Sequence, residues 1–309
     1  MIFATDATCQ THDPGRNHPE QIARYQAVLD GLEKADLLSK ERTVGPHNMT
    51  EAELRLAHDT DYLRLAQREI EGGYDHLSTG DTQICQASWS AAKAAAGCSL
   101  AATEAVVKGR DKTAFCLVRP PGHHANSQRG MGFCILNNVA LAARYAQKHL
   151  GIGRILIVDW DVHHGNGTQD IFYQDGSVFF FSTHQSPWYP GTGHVSETGE
   201  GPGVGATLNC PLPAGSGRKE ILECFDQKLL PAMRKFRPEL VLISAGFDSR
   251  AGDPLGRFTL TDGDFCDMTK RVREIAELSA QGRVVSVLEG GYSLQGLASA
   301  TTAHVRALG

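Results

Sequence analysis

The sequence predicts an α/β protein built on one open, parallel β-sheet flanked by helices. Several short runs are apolar at every position and rich in Val, Ile and Phe, which is typical of strands buried on both faces of a parallel sheet. Helical stretches alternate with these runs, and this alternation implies right-handed crossover connections. No internal repeat or Pro/Ser-rich linker divides the chain. We therefore expect residues 1–309 to form a single domain.

The composition excludes several functional classes. Hydrophobic residues make up 41% and charged residues 21%, so the chain can bury a large core and is not disordered. The net charge of −5 offers no basic excess for phosphates, so we expect no nucleic-acid partner. No apolar run approaches 18 residues, and we expect no membrane association. The eight cysteines form no C-x-x-C pair and the N-terminus has no basic leader, which favours a reducing, cytoplasmic compartment.

The first third of the chain predicts three helices. Apolar side chains recur at helical spacing over 18–40 and 50–70, and Thr50 with Glu53 forms a capping-box pattern at the start of the second. The third helix, 85–108, is alanine-rich and should pack closely against the sheet. The predicted strands are Thr113–Val118, Ile155–Val158, Val178–Ser182, Leu240–Ser244 and Val284–Leu288, and the helices between and beside them are 137–149, 218–236 and 262–280.

Polar residues follow all five predicted strands at the point where each strand ends. Ligands of open parallel sheets bind at the carboxyl ends of the strands, so these loops are the ones that matter for function. One polar loop would mean little, whereas five together predict one polar site at this edge. The loops carry His123-His124, Asp159 to Gly167, Thr183-His184, Asp248, and Glu289 to Tyr292.

The second of these loops predicts a metal site. Asp159, Asp161 and His163 are spaced by two residues, so an extended backbone places all three on one side. Adding Asp248 from another strand end provides one imidazole and two carboxylates, and leaves a coordination position open as catalytic zinc requires. Because no thiolate takes part, Fe²⁺, Co²⁺ and Mn²⁺ are also chemically admissible.

Each motif alone has an ordinary structural interpretation. An Asp-x-Asp sequence often caps a turn, and two adjacent histidines commonly contact no ligand. Gly290-Gly291-Tyr292 alone would be a tight turn with a core tyrosine. The coincidence of all these motifs at matched strand ends favours a functional site over the separate alternatives.

Five segments resemble the histone deacetylase superfamily, closest to its class II and bacterial deacetylase-like amidohydrolase branch. The resemblance runs from about residue 12 to the C-terminus, and it implies the arginase/deacetylase α/β fold with a parallel, mainly eight-stranded sheet. Arg16–Glu20 and Gly252–Gly256 also fit the family pattern. The five segments are Arg119–His124, Gly132–Cys134, Asp159–Gly167, Ser244–Asp248 and Leu288–Tyr292.

The resemblance implies that Asp161, His163 and Asp248 bind Zn²⁺, with Fe²⁺ or Co²⁺ as substitutes, and that Tyr292 faces the metal. It also implies a monovalent-cation site, usually K⁺. The residues of that second site would be Asp159, Asp161, His163, Ser182 and the carbonyl of Thr183.

By the same resemblance, His123 and His124 are the tandem catalytic histidines. Asp159 would orient His123 and Asn166 would orient His124, as in class II members. We expect His124 to act as general base and then general acid, while His123 is protonated and acts electrostatically. Tyr292 would donate its hydroxyl proton to the oxyanion.

The resemblance further implies a channel for an acylated lysine. Phe133 and Tyr189 would form its walls beside Gly132, with Trp188 at the rim and Asp81 holding the substrate backbone. Leu255 stands where family members that prefer polyamines can carry a glutamate, and a leucine suits a methylene stem better than a second cation. Asp81 and Glu20 remain possible sources of negative charge at the rim.

The leading hypothesis is therefore metal-dependent hydrolysis of an N-acyl amide, in the first place acetyl, on a lysine side chain or a similar small amine. One alternative is an acetylpolyamine amidohydrolase, and another is a relative that binds acyl-lysine without hydrolysis. Arginase-type chemistry would need a second metal with further carboxylates. The sequence leaves open the substrate and whether the chain forms a homo-oligomer.

Overall fold

The computed structural model describes residues 1–309 and contains one sheet of eight parallel strands. The spatial order of the strands is β2-β1-β3-β8-β7-β4-β5-β6. This architecture confirms the predicted fold class. In chain order the strands are β1 Ile2–Thr5, β2 Thr43–Val44, β3 Thr113–Leu117, β4 Ile155–Asp159, β5 Val178–Gln185, β6 Thr207–Leu212, β7 Leu240–Ala245 and β8 Val284–Leu288.

Helices cover the sheet. Most of them are amphipathic, and those packed most closely on the sheet are rich in small residues. The longest, α4, has alanines buried along its length and packs on β1, β3 and β8, as its composition predicts. Membrane crossing would need a longer and more apolar helix than any that the chain forms. The α-helices are α1 Ala23–Lys34, α2 Glu51–Leu54, α3 Thr60–Glu71, α4 Ser88–Val107, α5 Asn138–His149, α6 Asn166–Phe172, α7 Arg218–Glu223, α8 Leu230–Phe236, α9 Asp262–Ser279 and α10 Leu294–Leu308.

Two predicted helices are shorter or more divided than their hydrophobic patterns indicate. The prediction over 18–40 is wrong at both ends, since α1 covers only Ala23–Lys34. The prediction over 50–70 is split into α2 and α3, although its capping box at Thr50 is present. The division has a physical cause, because the His58 ring is held by the Asn126 carbonyl and the Asn137 amide. The next residue, Asp59, has an extended backbone with ψ 144°, and its amide donates to the Ser127 carbonyl at 2.7 Å, so the helical hydrogen bonding is interrupted there.

The predicted helix 218–236 contains a π-helical turn over Cys224–Leu229, which separates α7 from α8. Pro231 lies just beyond this turn, where a proline removes one i→i−4 hydrogen bond from a helix. The predictions over 85–108, 137–149 and 262–280 agree with the structure to within a few residues.

Three strands and two helices, the short α6 and α10, were not identified from the hydrophobic pattern. β1 and β2 are only four and two residues long. β6 is an edge strand whose sequence contains Asn209 and Pro211, and a proline is tolerated at an edge. α10 follows the Gly290–Tyr292 motif directly and packs on α1 and α9.

The order of the strands determines where the site forms. β4 lies between β7 and β5, with Asp159 opposite Ser244 on one side and Ser182 on the other. β8 lies between β7 and β3, so the loops after β3, β4, β7 and β8 leave neighbouring positions at one edge of the sheet. The carboxyl ends of four adjacent strands therefore converge on a common volume.

Candidate active site

Three side chains at this edge form a cluster with the chemistry of a metal site. The Nδ1 atom of His163 lies 3.0 Å from Asp161 Oδ1 and 3.2 Å from Asp248 Oδ2. All three ligand atoms lie within 4.8 Å of one another and all three residues are buried. Asp248 Oδ2 is buried without a hydrogen-bond partner. A buried carboxylate oxygen is stable only beside a cation or a donor, so these residues could hold a divalent metal ion.

Backbone amides hold both carboxylates in place. The amide of Val162 donates to Asp248 Oδ1 at 2.8 Å, and that of Gly290 donates to Asp161 Oδ2 at 2.9 Å. Burial and the neighbouring Asp161 raise the pKa of Asp248 to about 7. Burial opposes the charged form of His163, but its hydrogen bond to Asp161 and the negative charges of Asp161 and Asp248 raise its pKa to about 10. The cluster thus favours a positive charge at its centre.

The tandem histidines lie beside this cluster and have different partners. His123 Nδ1 is 3.0 Å from Asp159 Oδ2, and His124 Nδ1 is 2.8 Å from Asn166 Oδ1. An amide oxygen only accepts, so His124 donates from Nδ1 and keeps a lone pair on Nε2. Both rings are 3% exposed.

Their surroundings separate the pKa values of the two rings. Burial lowers the pKa of His123, but the carboxylates of Asp159 and Asp161 outweigh burial and hold it well above its usual range. Burial and the neighbouring charges of His123 and His163 hold the pKa of His124 well below its usual range. One ring is therefore set to carry charge and the other to accept a proton.

Tyr292 completes the group from the loop after β8. Its ring lies under the guanidinium of Arg24, 4.9 Å from the Cζ atom, and packs edge-on against Phe133. Burial and the Asp248 charge raise the pKa of the Tyr292 phenol, so the hydroxyl is protonated and able to donate. The preceding Gly291 has φ +120°, and a Cβ on Gly290 would stand 2.1 Å from Asp248 Oδ2. Both positions therefore require glycine.

A cavity of about 230 Å³ opens onto these groups from the surface. All six residues predicted to contact substrate lie on its walls together with His124, His163 and Tyr292. Gly132 lets one wall approach closely, since a Cβ there would stand 2.3 Å from the His124 ring. The six are Asp81, Gly132, Phe133, Trp188, Tyr189 and Leu255.

The two acidic residues predicted for the rim of the cavity lie in different surroundings in the structure. Asp81 lies at the cavity, where its Oδ1 accepts hydrogen bonds from the Gly132 amide at 2.7 Å and the Tyr189 hydroxyl at 3.3 Å. Glu20 is fully buried and forms ion pairs with Arg24 and Arg119 at 2.8 and 2.5 Å. Glu20 therefore contributes no charge to the rim, and that expectation is wrong.

The residues predicted for a monovalent cation lie on two adjacent strands and the loop between them in sequence: Asp159 ends β4, Asp161 and His163 follow in the loop after it, and Ser182 and Thr183 lie on β5. Ser182 pairs in register with Asp159, and its hydroxyl lies 2.9 Å from His184 Nδ1. Thr183 follows on β5, and its hydroxyl oxygen is buried without a hydrogen-bond partner. Asp159 also accepts a hydrogen bond from the Asp161 amide at 3.1 Å. The residues predicted for the cation therefore extend from β5 to the loop that carries Asp161 and His163.

Sequence reasoning assigned no role to two residues that support the site. Glu289 accepts hydrogen bonds from the amides of Gly122 and His123, and so fixes the loop of the tandem histidines. Arg24 donates to the carbonyls of Glu289 and Gly291, each at 2.6 Å, and so fixes the loop of Tyr292. Glu289 was found by the strand-end rule, but its position in the sequence gave no sign that it would bind the backbone amides of another loop. Arg24 lies on α1, far in sequence from the loop that it supports. Its spacing from Glu20 was the only feature of the sequence that could have indicated a buried role.

Arg119→Met is expected to destabilise the fold by about 3–5 kcal/mol, because it removes one partner of a buried ion pair. Arg119 is fully buried and binds Glu20 with both Nε and an Nη atom. Urea unfolding of the variant measures the loss. Arg110→Met is the matched control, since Arg110 is exposed and a surface change should stay within about 0.5 kcal/mol. Equal unfolding midpoints for the two variants would contradict the argument.

Comparison with known proteins identifies the family. The family model described as "Histone deacetylase domain" matches residues 18–308. Histone deacetylase 10, chloroplastic, of Oryza sativa subsp. japonica is 39% identical over 97% of this chain and 72% of its own length. A probable deacetylase of Archaeoglobus fulgidus is 39% identical over 92% and 79%. A histone deacetylase-like amidohydrolase of Pseudomonas aeruginosa is 37% identical over 89% and 72%.

A solved structure is similar over nearly the whole chain. The crystal structure of the HDA15 HD domain superposes with a TM-score of 0.93 at 36% identity, and covers 99% of this chain and 89% of its own. The superposition covers the eight-stranded sheet. The clustered carboxylates and imidazoles follow the ends of strands in this sheet. With a family model spanning 18–308 and relatives above one third identity, the chain belongs to the histone deacetylase family.

Proposed function

We propose that this protein hydrolyses N-acyl amides of amines, in the first place the acetyl amide of a lysine side chain, with Zn²⁺ as cofactor. The observation that carries the proposal is the cavity that exposes His124, His163 and Tyr292 together at the end of a channel with aromatic and aliphatic walls. A proton acceptor, a metal ligand and a hydroxyl donor thus meet around one volume. Amide hydrolysis needs these three functions at the reacting carbonyl.

A zinc ion held by Asp161, His163 and Asp248 would polarise the acyl carbonyl and increase the acidity of water. His124 accepts the proton of the attacking water on Nε2, since its Nδ1 donates to Asn166. The same ring then gives that proton to the leaving amine. His123 stays protonated beside Asp159 and stabilises negative charge near the carbonyl.

Tyr292 donates a hydrogen bond to the oxyanion that develops as water attacks. Its phenol keeps the proton through the ordinary assay range because burial raises its pKa. Donors that meet the developing charge are worth more in a water-excluded site than in solution. The products are a carboxylate and a free amine.

We further propose K⁺ at Asp159, Asp161, His163, Ser182 and Thr183. The support is the register of β4 and β5, which places Asp159 opposite Ser182 and brings the Thr183 carbonyl, the predicted ligand, next to them on β5. We also propose a reducing compartment such as the cytoplasm, because all eight cysteines are free thiols and six of them are buried.

Acetylpolyamine hydrolysis is the second candidate, and one observation favours it. Asp81 accepts both of its hydrogen bonds on Oδ1, so Oδ2 is available to meet an ammonium group of a polyamine. Leu255 favours the lysine instead. Its backbone is fixed, since its carbonyl accepts from Trp188 Nε1 at 2.9 Å, and its side chain forms apolar wall.

We expect a higher kcat/KM for an acetyl-lysine peptide than for acetylspermidine or acetylputrescine. Leu255→Glu should move the ratio toward the polyamine, because it adds a carboxylate to the wall that meets the second cation. Leu255→Gln is the matched control, with similar size and no charge, and should leave the ratio nearly unchanged. A wild-type preference for acetylputrescine by tenfold, or about 1.4 kcal/mol, would contradict the lysine assignment. A panel with longer acyl groups, assayed with zinc-loaded enzyme, would identify the acyl chain.

A further inference from the structure

Asp253 lies behind the wall of the cavity and contacts two of its working parts. We propose that Asp253 is a positioning residue, which holds the backbone of Tyr292 and the Leu255 wall in a fixed relation through one carboxylate. The inference rests on the proposed function in one respect, since it takes Tyr292 as the hydroxyl donor. It goes beyond that function by assigning a role to a side chain that does not line the cavity.

The contacts of Asp253 divide between its two oxygens. Oδ2 accepts from the amides of Tyr292 at 2.7 Å and Ser293 at 3.0 Å. Oδ1 accepts from the amide of Leu255 at 3.0 Å. The side chain is 8% exposed, so water does not readily replace these bonds. Both oxygens are used, and every partner is a backbone N–H.

This arrangement suits a carboxylate and no other side chain of the same size. Three N–H donors converge on Asp253, and a carboxylate offers acceptors on both sides. An asparagine would turn its NH₂ group toward the amide of Leu255 or toward those of Tyr292 and Ser293. Hydrogen bonds to an ionised acceptor are also stronger than those to a neutral one. Asp253 thus forms a bridge between the Leu255 amide on one side and the amides of Tyr292 and Ser293 on the other. Asp253→Asn breaks the hydrogen bonds on one side of this bridge while keeping the volume of the side chain.

The loop of Tyr292 depends on this bridge. Gly291, directly before the tyrosine, has φ +120° and no side chain to anchor it. Ser293, directly after it, is the N-cap of α10. Arg24 holds the Gly291 carbonyl, but the amides of Tyr292 and Ser293 donate only to Asp253. Arg24 thus holds the backbone on the N-terminal side of Tyr292, and the Asp253 carboxylate holds the backbone of Tyr292 itself and of the residue after it.

The other side of the bridge reaches the channel wall. The Leu255 amide binds Asp253, and the Leu255 carbonyl binds Trp188 Nε1 at 2.9 Å. Both Leu255 and Trp188 line the cavity. A shift of this wall relative to Tyr292 would move the substrate stem relative to the proton donor. Small displacements of this kind reduce the rate because the reacting groups are no longer aligned.

A double-mutant cycle tests the proposal. We expect Asp253→Asn to lower kcat about tenfold in the wild type, and less than about twofold in the Tyr292→Phe background, because the hydroxyl that Asp253 positions is then absent. The matched control is Asp262→Asn, a carboxylate at the start of α9 that binds Arg250 away from the cavity. That change should leave kcat unaltered in both backgrounds. An equal loss in both backgrounds would overturn a role through Tyr292.

Hydrogen exchange gives a second readout that does not depend on turnover. Asp253→Asn should speed exchange of the amides of Tyr292 and Ser293 and leave those of β8 protected, whereas Asp262→Asn should not. If Asp253→Asn fails to fold, Asp253→Ser keeps one acceptor and should show smaller changes in the same direction. An unchanged rate of hydrogen exchange at the Tyr292 amide would show that Asp253 does not hold this part of the backbone. An inactive wild type with faster exchange in the variant would instead refute the proposed function and leave the bridge intact.

Discussion

Asp248→Ala is expected to prevent binding of the proposed zinc ion and to abolish turnover. Asp248 supplies one of two carboxylates around His163 Nδ1, and its Oδ2 has no other partner in the chain. Removing it halves the negative charge that balances a dication, and a metal site with two remaining protein ligands binds weakly. Elemental analysis of the purified variant, with a deacetylation assay before and after zinc addition, measures the effect.

Two further variants make this result specific. Asp248→Ala also removes the acceptor of the Val162 amide, so a loss of folding could imitate a loss of metal. Asp248→Asn keeps an acceptor for Val162 and removes only the charge, so it should fold and still lose zinc. Asp226→Ala, which changes an exposed carboxylate paired with Arg271, is the control for surface charge. Full zinc occupancy with normal activity in Asp248→Ala would show that the assignment of the metal site is wrong.

Tyr292→Phe is expected to lower kcat and kcat/KM together by about 10²–10³, which is the usual cost of losing one oxyanion donor. KM should change little, because the hydroxyl acts on the charge that develops during the reaction. The phenylalanine keeps the ring contacts with Phe133 and Arg24, so the fold is preserved. Steady-state kinetics on an acetyl-lysine peptide measures both constants.

Binding of a hydroxamate separates loss of the donor from loss of the site. A hydroxamate chelates metal, so Tyr292→Phe should still bind it with an affinity near that of the wild type. Asp248→Asn should not bind it. If Tyr292→Phe retained the wild-type kcat, the tyrosine would be a packing residue and the oxyanion donor would have to be sought elsewhere.

The strand-end rule located most of the site residues, and the reason is visible in the structure. Asp161 and His163 are close in sequence, so a local spacing argument places them together. Asp248 joins them only because β7 lies next to β4, although β5 and β6 intervene in the chain. Local spacing carries no information about that order, so the inclusion of Asp248 rested on its position at a strand end and then on the family resemblance.

The supporting residues were harder to predict than the reacting ones. Arg24 reaches the Tyr292 loop from α1, and no property of the α1 sequence marks it as different from a surface arginine. Glu20 was interpreted as a rim residue because its charge suits a surface, and its pairing with two arginines could not be read from the chain. Asp253 binds backbone amides, which have no sequence signature at all. β1 and β2 were missed because they are short, and the edge strand β6 was missed because Asn209 and Pro211 interrupt its apolar run.

The order of the strands also has a kinetic consequence. The contact that ties Asp248 to Val162 in the loop after β4 spans 86 residues, and the one that ties Arg24 to the Tyr292 loop spans 267. Both close only after distant strands have paired, and closures of this length slow folding because chain entropy is lost before contacts compensate for it. The site is therefore assembled late, after β8 and the Tyr292 loop have joined the sheet. A metal ion that binds only the finished site slows unfolding and does not accelerate folding.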